Sequence, residues 1–162
     1  MYLSIGYPIG VTETDKGRYY TIETSDKYIH LGGEDVGVWA KINSKYSPKS
    51  QEDIEIVRRL EAAGAVAFAD SVGEMINFLM SHRYIRQGFG MLNEAGHCVH
   101  VGNRVVNLNN RQMALWQAGN GKTTIRDLVE LSHKRKTLSF DELLAIYYDF
   151  LFLIDNDLVY VI

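Results

Sequence analysis

The chain has 162 residues, 46% hydrophobic and 23% charged, ordinary values for one globular domain or two small ones. Its net charge is −3, with 10 Lys/Arg against 12 Asp/Glu in residues 1–87 and 7 against 8 in residues 88–162, so neither half has the basic excess of a dedicated nucleic-acid-binding domain. No run reaches the roughly 18 uninterrupted apolar residues of a membrane span, two prolines leave little room for a disordered linker, and the single cysteine, Cys98, has no internal disulfide partner.

The opening Met1-Tyr2-Leu3-Ser4-Ile5 lacks a basic n-region, so no secretory leader is expected and a reducing cytoplasmic setting fits. Residues 2–11 read as extended, with Gly6, Pro8 and Gly10 opposing a helix. Residues 12–17 read as a polar turn. The β-rich runs 18–22 and 27–31 flank a second turn and predict a hairpin, joined by the first segment in a three-stranded sheet. Val36, Trp39 and Ala40 at helical spacing predict a short helix over 34–42. Ser50 with Asp53 caps a second helix bearing Ile54, Val57 and Leu60. Residues 62–69 are mostly small. Ser71 with Glu74 caps a third helix, and Tyr84-Ile85 begins a short strand.

The pattern then restarts. Residues 88–92 echo residues 6–10, residues 98–101 and 104–108 form a hairpin around Gly102-Asn103, and a helix carries Met113 and Trp116. Thr124 with Asp127 caps the next helix, and Ser139 with Glu142 caps the last, which is apolar almost all round. Residues 158–162 close the chain as a strand. The spacing Leu-x4-[Val/Met]-x2-Trp occurs at Leu31, Val36, Trp39 and at Leu108, Met113, Trp116, and holds both tryptophans. The offset is 77 at the tryptophans, 74 at the second-helix cap, 68 at the third-helix cap and 74 between Leu79 and Leu153. Such self-similarity points to a duplicated unit, its offset changes falling in loops and in a longer last helix.

Each unit reads as three strands, three helices and a strand. In the second, residues 104–108 lead through Met113 and Trp116 to Gly119-Asn120-Gly121-Lys122-Thr123-Thr124, an Ile125-initiated helix, an apolar helix and Asn156-Asp157-Leu158-Val159. This resembles the PqqD-like winged-helix domains, the recognition elements of peptide-modification systems, over residues 97–160 and more loosely over 18–86. The resemblance implies a binding module that takes up an extended peptide as an added strand, with side chains resting on the third helix. The matching positions are Arg104, Val105, Val106 and Asn107 on the hairpin and Tyr147 and Tyr148 on the last helix. The family is usually one domain of about half this length, and Gly73 lies in the first unit's third helix.

Other motifs have weaker chemistry. The segment 119–124 imitates a phosphate-binding loop, but Trp116 stands where that loop needs its first glycine; a turn before a helix cap is the plainer reading. His97, Cys98 and His100 alternate along a strand, so at most two share a face, and no metal is expected. Cys98 has no identifiable base. Lys134, Arg135 and Lys136 form the one basic run, a candidate nucleic-acid contact or a solvated loop. Asp141 and Glu142 in one unit and Asp70 and Glu74 in the other stand where a groove-reading helix carries Arg, Lys, Asn or Gln.

The expected fold is therefore α+β: two tandem winged-helix-like repeats, 1–87 and 88–162, each a small antiparallel sheet plus three helices. The expected function is non-enzymatic capture of a peptide or partner protein at a sheet edge, without cofactor or membrane, with a homodimer or the packing of one repeat on the other also able to cover the aromatic last helix. The alternative is a winged-helix DNA-binding regulator.

Overall fold

The β-branched and aromatic runs near the start of each half form two antiparallel three-stranded sheets. The computed structural model describes residues 1–15, 17–94, 96–133 and 138–162. The fold is α+β, and two compact units divide it: Met1–Met75 with Val161–Ile162, and Ile76–Tyr160. The division lies twelve residues before the boundary read at Gln87, because the third helix is shared between them. No helix among the described residues is long and apolar enough to cross a membrane.

In the first unit, β1 (Tyr2–Ser4) pairs with β5 (Val66–Phe68), and β2 (Tyr7–Thr14), β3 (Gly17–Glu23) and β4 (Tyr28–Leu31) form a sheet in that order. Helix α1 (Gly33–Trp39) follows β4. Helix α2 (Gln51–Ala63) opens at Ser50, whose hydroxyl accepts from Asp53 N at 3.0 Å, and buries Ile56, Val57 and Leu60. Helix α3 (Val72–Ser81) opens at Ser71, which accepts from Glu74 N. Leu3, Ile22, Leu60, Met75 and Val161 are the largest fully buried side chains of this unit.

In the second unit, β6 (Arg83–Arg86) lies between β10 (Asn120–Thr124) and β11 (Val159–Val161). Strands β7 (Phe89–Asn93), β8 (Gly96–Val101) and β9 (Arg104–Leu108) form the other sheet, with β8 central. Helix α4 (Asn110–Ala118) follows β9, capped reciprocally by Asn109 and Gln112; α5 (Ile125–His133) and α6 (Phe140–Asp155) complete the unit, α6 with a reciprocal Ser139–Glu142 cap. Tyr84, Phe150, Leu153 and Leu158 form its core, with the Tyr84 and Phe150 rings edge to face at 4.8 Å.

Three expectations differ from what forms. Residues 12–14 continue β2 rather than turning. The small-residue stretch contains β5, so a strand separates α2 from α3 in the first half. The segment read as a glycine turn is β10, so in the second half the extra strand separates α4 from α5. Backbone pairing, with β1 and with β6, holds these short strands despite weak side-chain patterning.

The hairpins keep one register. Glu23, Ile22, Thr21 and Tyr20 face Tyr28, Ile29, His30 and Leu31; His100, Val99, Cys98 and His97 face Val105, Val106, Asn107 and Leu108. Every pair is displaced by 77 residues. The indole N–H of Trp39 donates to Ile5 O at 3.1 Å and that of Trp116 to Gln87 O at 2.8 Å. Each carbonyl precedes a glycine in the left-handed region, Gly6 at φ 109° and Gly88 at φ 84°.

Candidate functional site

The β7–β8–β9 sheet has two outer strands, and they differ. On β9, Val101 and Arg104 close the two-residue turn Gly102-Asn103. In such a hairpin the closing pair exchanges both backbone bonds, and bonded pairs then alternate. The bonded pairs are therefore 101–104, 99–106 and 97–108, so Val106 turns its amide toward Val99. Val105 and Asn107 turn theirs outward. Arg104 is held at 2.6 Å by Asp157 and also reaches Asn156 O, a half-exposed pair of small energetic value. Val105 is exposed, as is Asn107.

The two tyrosines read on the last helix differ in exposure. Tyr148 is 58% exposed, whereas Tyr147 is buried and cannot rest against a bound strand. Burial, with Tyr148 and Asp155 nearby, pushes the Tyr147 phenol pKa up. The reason is placement: Tyr147 joins Ile146, Phe150, Leu153 and Ile154 on the enclosed side of α6. Asp149 also lies there, at 5% exposure, where Arg111 Nε and Gln112 Nε2 donate to its carboxylate.

Strand β7 presents a different surface. The groups of β8 not used by β9 belong to Cys98 and His100, which face Met91 and Phe89. By the same alternation Gly90 and Leu92 direct their backbone groups away from the sheet. All five β7 residues are exposed, with Phe89 at 80%, Leu92 at 73% and Met91 at 54%. A concavity of about 760 Å³ runs beside the strand, with Met113, Trp116 and Gln117 of α4 opposite. Gly90 permits the close approach of strand and indole, since a Cβ there would fall 2.7 Å from the Trp116 ring. Arg86 lies 5.2 Å from the centre of that ring and donates to Gln117 O at 2.7 Å. Arg86 puts a positive group along the groove, which no acidic side chain lines among the described residues.

The remaining motifs resolve simply. His97 lines the groove, Cys98 and Val99 are both buried, and His100 is exposed. Residues 120–124 are extended and paired with β6, so they do not form a phosphate cradle; Thr124 instead accepts from Asp127 N. The carboxylates of Glu74 and Glu142 accept from Asp70 N and Ser139 N, so both are engaged at helix starts. Lys134, Arg135 and Lys136 lie outside the described residues. The residues that the sequence reading missed are Phe89, Met91 and Leu92. Their signal was an apolar run between Gly88 and Asn93, read only as an echo of residues 6–10.

No protein-family model, no curated protein and no solved structure matches the chain.

Proposed function

We propose that the protein is a cytoplasmic binding module, built from two winged-helix-like units, that captures an extended segment of a partner protein as an added strand. The observation that carries this reading is β7: an outer strand with Phe89, Met91 and Leu92 uncovered beside a groove floored by Trp116. Edge strands of this kind are templates for pairing, and folded proteins ordinarily blunt or cover them. Backbone groups of Gly90 and Leu92 supply the ladder, the groove takes alternate apolar side chains, and Arg86 favours an acidic residue in the segment. Strand β9 is the second edge, where Val105 and Asn107 offer the outward groups. The engaged acids at the starts of α3 and α6 do not favour phosphate contact, which weighs against the DNA-binding alternative.

The test is capture of immobilised extended peptides with apolar alternation and one acidic residue. Leu92→Pro removes an outward amide while leaving the internal ladder intact, and capture should be lost. Val106→Pro is uninformative because it breaks the β8–β9 pairing itself. Undiminished capture by Leu92→Pro and by Val105→Pro would overturn strand addition. Concentration-dependent self-association abolished by Leu92→Pro would instead assign β7 to a second copy of the chain.

A further inference from the structure

Net charge hides a local concentration of cations in the first unit. Lys41, Lys45 and Lys49 lie within nine residues, three of the ten basic residues of the first 87. They line one concavity of about 380 Å³ with Tyr46, Ser47 and Asp53. None of the three lysines enters an ion pair among the described residues. The segment is fixed from several sides. Ile42 is buried, Ser4 donates its hydroxyl to Ile42 O, Tyr46 N donates to Asn43 O at 3.0 Å, and Lys45 N donates to Asn43 Oδ1 at 3.0 Å. The nearby carboxylate is already engaged, since Asp53 Oδ2 accepts from Lys49 N at 3.1 Å. Three exposed ammonium groups thus surround one hollow against the single carboxylate of Asp53, a local excess of positive charge that favours an anion there.

A second observation narrows the anion. Tyr46 walls the hollow, and its ring stands edge to face with Tyr2 at 6.4 Å. Tyr2 in turn lies 4.9 Å from Phe68, which is 43% exposed. An aromatic surface therefore continues directly from the cationic hollow. Lysines gather phosphate as point charges, and aromatic faces take up any base by stacking. Burial, Asp53 and Tyr2 all raise the Tyr46 pKa, leaving its phenol a hydrogen-bond donor at neutral pH.

We propose that the 41–49 loop of the first unit binds a nucleotide, with Lys41, Lys45 and Lys49 on its phosphates and the Tyr46–Tyr2–Phe68 surface on its base. The site is separate from the 119–124 segment and does not depend on the β7 reading. The shared chemistry of phosphate plus flat ring can come from a free nucleotide or from a single strand. Binding of adenosine triphosphate, of inorganic tripolyphosphate and of a short oligothymidylate, each followed by calorimetry on the full chain, separates these cases. Adenosine triphosphate or the oligonucleotide should bind more tightly than tripolyphosphate, and whichever is tighter identifies the source. The triple variant Lys41→Ala/Lys45→Ala/Lys49→Ala removes exposed side chains, so the fold should survive, and affinity should fall at least tenfold. Tyr46→Phe keeps the stack, whereas Phe68→Ala should weaken the nucleotide or oligonucleotide and leave tripolyphosphate unchanged. Three phosphate contacts on a single strand predict about a 20-fold loss between 50 and 200 mM salt. No nucleotide or oligonucleotide binding at millimolar concentration, binding unaffected by the triple variant, or tripolyphosphate binding as tightly as both ring-bearing ligands would each overturn the assignment.

Discussion

The β3–β4–α1 and β8–β9–α4 segments share a frame and differ at its rim. Within the frame, Ile22 faces Ile29 where Val99 faces Val106, and an indole reaches a carbonyl before a left-handed glycine in both. At the rim, Thr21 joins Thr12 and His30 in a chain of side-chain hydrogen bonds across β2–β3–β4. The positions matching Thr21 and His30 hold Cys98 and Asn107, with Met91 opposite Cys98. The outer strands diverge as well: β2 exposes Ile9 at 48% and Val11 at 43%, whereas β7 exposes Phe89 at 80% and Leu92 at 73%. Constraint sits where an indole, a glycine and a hairpin register lock together. The differences sit on the strands outside that lock.

The largest effects should fall on the shared frame. Trp39→Ala and Trp116→Ala each remove a buried indole and strand its carbonyl partner, so each should cost about 3–5 kcal/mol in urea unfolding. A loss below about 1 kcal/mol for one of them would show that the two indoles do unequal work. Next come the glycines. A Cβ at Gly88 would meet His100 O at 2.3 Å, fixed backbone, whereas at Gly6 its nearest neighbour is Ile22 Cδ1 at 2.9 Å, the end of a side chain. Both sit at positive φ, so Gly88→Ala should cost about 2–3 kcal/mol and Gly6→Ala about 1–2 kcal/mol. Equal melting temperatures for the two variants would contradict that difference.

A third contrast concerns α6. Asp149 is buried against Arg111 and Gln112, while the residue 74 positions earlier is Met75, 1% exposed. Asp149→Ala leaves two donors without their carboxylate; because Arg111 can turn to water, the expected loss is about 2 kcal/mol. Leu79 and Leu153 share that offset, so Asp149→Met tests whether the first unit's apolar solution serves the second. Stability at or above that of Asp149→Ala is expected, read from the urea midpoint.

The smallest effect is confined to high pH. Burial raises the Tyr84 phenol pKa well above its ordinary value of 10.0, and the phenol donates to Leu115 O at 2.5 Å. A pKa higher in the folded than in the unfolded chain gives stability that is whole below pH 10 and declines as pH rises toward the folded value. Tyr84→Phe should flatten that decline, as followed by thermal unfolding from pH 8 to pH 11. An unchanged slope would place the alkaline sensitivity elsewhere.

Much of the frame was legible because it is written in local chemistry. Ser50, Ser71, Thr124 and Ser139 begin helices through short-range hydrogen bonds, and Trp39 and Trp116 stand at matching positions after matching strands. What escaped depends on distant pairing. The polar run 120–124 becomes a strand only because Ile85 and Arg83 offer backbone partners, and residues 66–68 only because β1 does. The candidate groove escaped for a related reason. Glycines at 88 and 90 look like breakers in sequence, yet Gly90 lets the Trp116 ring come close beside the strand. Tyr147 misled in the opposite direction, because an all-round apolar helix does not announce which ring it hides.

Residues 161–162 have a consequence for biogenesis. Val161 O accepts from Gly6 N at 2.8 Å, and Val161 also bridges Ile5, so the first unit closes on backbone made after all of the intervening chain. Emerging from a ribosome, residues 1–75 must wait for everything between before that bond can form. A fragment cut at residue 87 would present Ile5 and Gly6 without their partner strand.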